Sequence, residues 1–514
     1  MPLTRRQFLW SAAASAALWQ GRGRAQEPAP PGSAVFGHGV ASGDPLADRV
    51  MLWTRVTPPP GTRENATLDV QWRIATDSRM TQVVSRGTAR TGAARDFTVK
   101  VDARGLSAGR EYFYAFERGG ERSTIGRTRT APAAADRLRL GVVSCSNYPA
   151  GHFNVYRCLA NRADLDAVIH LGDYIYEFDN GIYGDGTSMM RIPEPRRETV
   201  TLSDYRIRYA TYRADPDLQA AHAQHPFILV WDDHELANDA WLDGAANHNP
   251  DKGEGDWPTR RAAAYRAYLE WMPIRESSDT NVLLYRSFRF GGLLDLVMLD
   301  TRGLRDQQVP GGDIAGLARP GRTLLGAAQE EWLFEQLRAS QRRGASWRVL
   351  GQQIVFSRMS PPGASVLLPD TWDGYQAARD RVMDFLAAER VPDVAMLSGD
   401  IHSSWGFEVM RNPWGGKTAG ATTPLGVEIV TPAISSQPFF TEAAFRERAP
   451  VLRALMPHLK FLEGTSNGYV LLDVTRDRLQ SDWYFVPTVK ERLASEQRGG
   501  SLVCERGSSR LVPA

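Results

Sequence analysis

Asp166-Ala-Val-Ile-His-Leu-Gly-Asp173-Tyr-Ile-Tyr176-Glu177 carries the first sign of the fold. Asp166 to Leu171 is an apolar run of strand length, and Gly172 lets the backbone turn directly after it. Asp173 and Tyr176 follow in the loop. A carboxylate at the carboxyl end of a strand is where open α/β sheets build their sites. An Asp also caps helices well, so this position alone decides little. Recurrence decides it, because the same pattern of apolar strand then polar donor returns three times. Leu138-Arg-Leu-Gly-Val-Val-Ser leads into Cys145-Ser-Asn147. Pro226-Phe-Ile-Leu-Val-Trp231 leads into Asp232-Asp233-His234-Glu235, with Asn238 beyond. Val394-Ala-Met-Leu-Ser-Gly399 leads into Asp400-Ile-His402.

Outward from these strand ends, the spacing predicts helices over 153–162, 205–223, 327–342 and 374–389. Further strands are expected at 293–299, 347–350, 469–474 and 479–486. Strands alternating with helices predict an α/β core over 137–487. Before it, 50–56 alternates faces, and short strand-like segments follow at 68–74, 96–101 and 112–118. Turn-separated short strands predict an N-terminal β-sandwich over 33–131. Loops 179–205, 236–256 and 305–321 are long and polar, as site-bearing loops often are. The tail 488–514 contains Arg498-Gly-Gly-Ser501 and Arg506-Gly-Ser-Ser509, which predict flexibility or a lid.

The 514 residues are 42% hydrophobic and 23% charged, an ordinary globular balance. Residues 1–25 contain Arg5, Arg6, Arg22 and Arg24 and no acid, so without them the formal net charge falls from +2 to −2. That balance argues against a nucleic-acid partner, which needs a basic face. Thr4-Arg5-Arg6-Gln7-Phe8-Leu9, an Ala-rich apolar run to Trp19 and the small-residue site Gly23-Arg24-Ala25 form a secretory signal over 1–25. The paired arginines resemble a twin-arginine signal, which predicts the twin-arginine machinery as partner and export to the periplasm or beyond. A Pro-rich linker follows at 26–32. No other stretch approaches the ~18 apolar residues of a membrane span.

Asp and Asn oxygens suit hard cations such as Ca²⁺ or Mg²⁺, whereas thiolate, phenolate and imidazole suit a transition metal. The strand ends therefore predict a mixed site, with Cys145, Tyr176 and His402 beside a redox-type ion, hard ions next to it, and Asp173 on the segment that bridges them. Neighbouring cations can clamp both the attacking and the leaving oxygen of a phosphoryl group.

Gly172-Asp173-Tyr-Ile-Tyr176, Asp232-Asp233-His234-Glu235 and Gly399-Asp400-Ile-His402 resemble the motifs of the calcineurin-like metallophosphatases. The full pattern resembles the PhoD-type alkaline phosphatases. It includes Ser144-Cys145-Ser-Asn147, Leu299-Asp300-Thr-Arg302, Gln352-Gln353, the opening Gly39-Val-Ala-Ser-Gly-Asp44 and Leu52-Trp-Thr-Arg55, and it spans 35–487 in order. The resemblance implies a β-sandwich on a four-layer core of two packed sheets flanked by helices. It implies hydrolysis of phosphomonoesters, phosphodiesters or both at alkaline pH by hydroxide activated at one iron(III) and two calcium ions. By carry-over, Cys145, Asp173, Tyr176, Asp400 and His402 would hold iron, and Asp173, Asn238, Asp400 and Asp233 calcium. The first strand departs from the wider superfamily, with Cys145-Ser-Asn in place of Asp-x-His, and Asp233 stands where the superfamily has Asn. His234 would stabilise developing charge or protonate the leaving oxygen. Arg302 would clamp the phosphate or pair with a nearby acid.

Other readings stay open at this stage. A phospholipase D-like phosphodiesterase would share the fold. Gly464-Thr-Ser466-Asn-Gly468 matches the serine-hydrolase motif, but that motif needs a strand-to-helix elbow and a strand-like run follows here. A metal-stabilised surface protein would need neither His234 nor Arg302. Cys158 and Cys504 could pair and leave Cys145 free. His38, His170 and the remaining histidines have no acidic neighbours at ligand spacing and read as packing residues.

Overall fold

The computed structural model describes residues 34–276, 284–415 and 423–514. The predicted signal and linker lie outside these residues. Arg137–Val143, Ala167–His170 and Pro226–Leu229 are adjacent parallel strands at the centre of a ten-stranded sheet. On one side Gly468–Thr475, Arg478–Phe485, Gln497–Glu505 and Val512–Pro513 continue it. On the other side Val40–Gly43, Arg49–Arg55 and Thr98–Arg104 do. A seven-stranded sheet contains Leu294–Met298, Trp347–Gly351, Val394–Ser398 and Gly426–Val430, parallel in that order.

Side-chain alternation sorts the second sheet's residues into two layers. Leu294, Leu296 and Met298 pack into the central core with Val142 and Ile169 of the first sheet. Val297 and Leu299 point the other way, toward Leu333 and Leu337 of helix Gly326–Arg343 and Val382 and Leu386 of helix Gln376–Ala388. Helices Asn154–Asn161, Leu202–Arg213, Pro216–Gln224 and Trp257–Trp271 join the central core through Leu159, Tyr209, Leu218 and Tyr268. The architecture is the expected one, two packed sheets flanked by helices. The sheets are also stitched at one end: Thr431 Oγ1 donates to Val142 O at 2.9 Å, and Ser144 bridges Ala433. That end carries every predicted strand terminus.

The N-terminal sandwich shares a sheet with the core, because Val40–Gly43 pairs in parallel with Pro226–Leu229. Its second sheet contains Val83–Gly92, Thr67–Ala75 and Glu111–Arg118. Val50, Leu52, Val99 and Ala103 face Val70, Ile74, Tyr114 and Phe116 between the two sheets. Buried Asp44 pins the junction, accepting from the Arg275 amide at 2.7 Å and pairing with Arg286 at 2.8 Å.

Three expectations need correction. The helix expected over 205–223 is two helices, because Pro216 cannot continue the first, and Asp215 caps the second by accepting from Asp217 N at 2.8 Å. The tail is not a loose lid, since Gln497–Glu505 pairs along Arg478–Phe485. Its glycines serve packing: a Cβ on Gly500 would meet the Phe461 ring at 2.5 Å. Cys158 and Cys504 do not pair, as all three cysteines are free thiols.

Buried histidines tie stability to pH. Burial lowers His38 to about 3 and His225 and His458 to about 4, from an ordinary 6.5. The ring nitrogens His225 Nε2 and His458 Nε2 face the carbonyls of Leu159 and Arg358, at 2.8 and 2.9 Å. A depressed folded pKa means that the unfolded chain binds the extra proton, so this stability is present above 6.5 and is lost as pH falls. Each group should cost up to about 1.4 kcal/mol per pH unit between 6.5 and its folded value. His225→Gln should lessen whatever fall the urea midpoint shows between pH 7 and 5, and an unchanged pH slope would refute this account.

Candidate active site

The strand termini converge through strained backbone. Cys145, Asp173, Asp400 and His402 all have positive φ, 63°, 56°, 66° and 48°, a region that residues with side chains rarely adopt. Neighbouring loops hold these turns. The Cys145 amide donates to Gly172 O at 3.1 Å, Ser146 N to Asp173 O at 2.8 Å and Gly399 N to Gln353 O at 2.6 Å. Buried Glu235 accepts from the amides of Asp173, Tyr174 and Asp232 at 3.0, 2.7 and 2.9 Å, and so fastens the second and third strand ends together.

Gly172 has φ 110°, and a Cβ there would meet the Asp232 amide nitrogen and, at 2.5 Å, the Asp232 Cβ. Gly172→Ala should therefore cost about 3 kcal/mol through strain and overpacking. Thermal unfolding checks this, and an unchanged midpoint would show that the turn tolerates a side chain.

Around this frame the donors form linked clusters whose ligand atoms lie within 4.8 Å of one another: Cys145, Asp173 and His402; Asp173, Asp233 and His234; Asp232, Asp233 and Asp400; and Asp233, Asp239 and Asp370. Tyr176 joins the first cluster. Its hydroxyl donates to Asp173 Oδ2 at 2.9 Å, accepts from Ser436 Oγ at 2.7 Å and stands 3.2 Å from His402 Nε2. His402 Nδ1 lies 3.0 Å from the Gln437 carbonyl, which can only accept, so Nδ1 carries the proton and the Nε2 lone pair faces the cluster.

The charges are crowded and buried. Burial pushes the Cys145 thiol, the Tyr176 hydroxyl and the Asp173 and Asp232 carboxyls well above their ordinary values, and Asp400 up to about 8. Burial opposes the opposite shift at Asp233, where Arg302 and His234 nonetheless hold the carboxyl below its usual range. Arg302 is fully buried and donates to Asp232, to Asp370 at 2.6 Å and to Asp400 at 2.7 Å. Arg305 also pairs with Asp370, at 2.7 Å. His234 Nδ1 donates to buried Glu177 at 2.7 Å, and its ring stacks on Tyr176 with centroids 4.2 Å apart. Burial opposes charge on His234, but Glu177, Asp173 and Asp233 raise it well above its ordinary value. Asp173 Oδ1 and Asp233 Oδ1 are buried without a hydrogen-bond donor. Buried carboxylate oxygens without donors, beside a thiol and an imidazole lone pair, fit metal cations as ligand donors.

Comparison with known proteins gives the family. A family model described as "PhoD-like phosphatase" matches residues 140–483. The chain belongs to the PhoD-like phosphatase family. A second model, "PhoD-like phosphatase, N-terminal domain", matches residues 23–132. Alkaline phosphatase D of Bacillus subtilis (strain 168) is 37% identical over 495 residues, 93% of this chain and 82% of that protein. A solved structure titled "Structure of PhoD" superposes with a TM-score of 0.85 at 35% identity, over 95% of this chain and 93% of that one. As a PhoD-like phosphatase the chain is a phosphoric ester hydrolase. Among the described residues no helix is long and apolar enough to cross a membrane.

In this PhoD-like phosphatase Cys145, Asp173, Tyr176 and His402 lie together at the strand ends. Asp400 falls with Asp232 and Asp233 rather than with Cys145. Asn238 stands at the same corner through its amide, which donates to Glu177 at 2.7 Å. Arg302 takes the ion-pair alternative, with its donors engaged by acids. Ser466 leads into strand Gly468–Thr475, so the serine-hydrolase elbow is absent. Asp370, Glu177 and Asp239 also stand at the site. Asp239 and Glu177 adjoin quoted motifs, but Asp370 sits in Leu368-Pro-Asp370-Thr, after no strand, and only tertiary contact identifies it.

Proposed function

We propose that the chain is an exported, metal-dependent phosphatase acting on phosphomonoesters, phosphodiesters or both at alkaline pH. The observation that carries this is Asp173, shared between the thiol–imidazole cluster and the carboxylate–His234 cluster with one oxygen free of donors. Cys145, Asp173, Tyr176 and His402 would hold iron(III), and Asp400 would reach it from the adjoining cluster of Asp232 and Asp233. Asp173, Asp233, Asn238 and Asp400 would hold calcium. Bound cations there would neutralise phosphoryl oxygens and lower the pKa of water. His234, protonated at Nδ1 against Glu177, presents its other ring nitrogen for proton transfer to a leaving oxygen. Arg302 balances the acids and fixes Asp232 and Asp400 in place. The arginine-paired leader at 1–25 supports export by the twin-arginine route.

The rim favours a second substrate class. Ile182, Tyr183 and Phe439 are 70%, 42% and 42% exposed. Tyr183 lies 5.6 Å from the His234 ring, and the Phe439 amide donates to His402 O at 3.2 Å. Exposed apolar groups at the mouth of a site suit an ester with an apolar alcohol, as in a phospholipase D-like phosphodiesterase.

Turnover of an aryl phosphomonoester and an aryl phosphodiester at alkaline pH, before and after chelation, tests the proposal. Chelation should lower both rates by about 100-fold or more, and calcium should restore them. The ratio of the two rates sets the substrate class. If neither ester turns over in fully metallated protein, the proposed reaction is wrong.

A further inference from the structure

The outer corner of the sandwich bears a second concentration of charge, of opposite sign to the active site. The edge strand Thr98–Arg104 pairs with Arg49–Arg55 in the register Arg49↔Arg104, Met51↔Asp102 and Trp53↔Lys100. The intervening residues Val50, Leu52, Val99 and Ala103 fill the sandwich core. Period two therefore sends Arg49, Lys100, Asp102 and Arg104 together to the opposite face. There they line an open cavity of about 420 Å³, with Arg95, Arg275 and Glu276 closing it.

The cations outnumber their partners. Asp102 serves Arg275 at 3.0 Å, Arg104 at 3.1 Å and Arg49 at 3.7 Å, and Asp48 also pairs with Arg49, at 2.9 Å. Glu276 Oε1 alone serves Arg95 at 2.6 Å and Lys100 at 2.9 Å. Arg49 and Arg104 are also directly opposed across the ladder, an arrangement that destabilises a sheet when both residues carry the same charge. Lys100 is almost fully buried, and burial lowers it to about 8 against the pull of Glu276. This local excess stands in a chain whose formal charge without its leader is −2.

We propose that this cavity is a binding site for a phosphate-type dianion, separate from the active site, with Arg49 and Arg104 as its principal ligands. A dianion beside these two guanidiniums would add charge-assisted hydrogen bonds where the single carboxylate of Asp102 is shared by opposed like charges, and guanidinium matches phosphate oxygens in pairs. The bounded cavity, rather than a long basic stripe, fits a single phosphoryl group and not a nucleic-acid backbone. Free phosphate and a terminal phosphoryl group of a larger molecule share this chemistry.

Calorimetric titration of the metallated protein with inorganic phosphate tests the site. Arg49→Gln/Arg104→Gln should bind one phosphate fewer per chain than wild type, or bind that phosphate about ten-fold or more weakly. Its kcat on an aryl phosphate should be unchanged, which shows that the fold and active site are intact. Arg95→Gln, on a separate segment, should weaken the same phosphate without removing it. Equal stoichiometry and affinity in wild type and both variants would overturn the proposal. A wild type with no turnover but a phosphate sensitive to these variants would sink the proposed function and leave this site standing. Competition by methylphosphonate at the same site identifies a terminal phosphoryl group as ligand, and its absence identifies the free ion.

Discussion

Asp173→Asn should lower turnover of an aryl phosphate by about 10³-fold, roughly 4 kcal/mol of transition-state stabilisation. The substitution is nearly isosteric, and Asn tolerates the left-handed φ of 56° found here. The backbone bond from residue 173 to Glu235 does not involve the side chain and should persist. A side-chain oxygen also remains to accept from the Tyr176 hydroxyl. What disappears is one negative charge at the residue common to the thiol–imidazole and carboxylate–His234 clusters. Both metal positions should weaken together, so metal content and activity should fall in parallel while the far-ultraviolet spectrum holds. Retained metal and retained rate in a folded variant would show that Asp173 is not the bridge.

His234→Asn should slow the reaction by about 10²-fold to 10³-fold for an alkyl phosphate, the range of a positioned general acid. The loss should be far smaller for an aryl ester, whose leaving oxygen scarcely needs a proton. His234 is suited to this role because Glu177 fixes Nδ1 at 2.7 Å and Tyr176 stacks on the ring face, which leaves Nε2 directed by packing. Burial resists the charge, but Glu177, Asp173 and Asp233 surround the ring and stabilise its protonated form. Glu177→Gln should show the same leaving-group dependence in weaker form, since a neutral amide still orients the ring but no longer favours its charge. Equal losses on alkyl and aryl esters would assign His234 to binding or structure instead of proton transfer.

The strand-end pattern was legible because it is local. An apolar run that stops at Gly172 or Gly399 and continues in an acid needs no knowledge of the partner strand. Gly172 is readable for the same reason, since only glycine takes its φ and the approach of Asp232. The tail misled because Arg498-Gly-Gly-Ser501 looks like a linker, whereas its glycines make room for Phe461 and Phe485. Composition cannot distinguish a glycine that permits motion from one that permits close packing.

The order of strands and helices, the positions where strands give out into acids, thiol and imidazole, and the family these motifs belong to can all be read along the chain. Those features repeat with the period of the backbone or depend on one residue's conformational freedom. Packing in three dimensions seats Asp400 with Asp232 and Asp233, turns the donors of Arg302 to Asp232, Asp370 and Asp400, and brings Asp370 into the site at all. Arg302 and Asp370 are 68 residues apart and share no local signal. A buried guanidinium must find carboxylates, and which ones it finds depends on how two sheets pack.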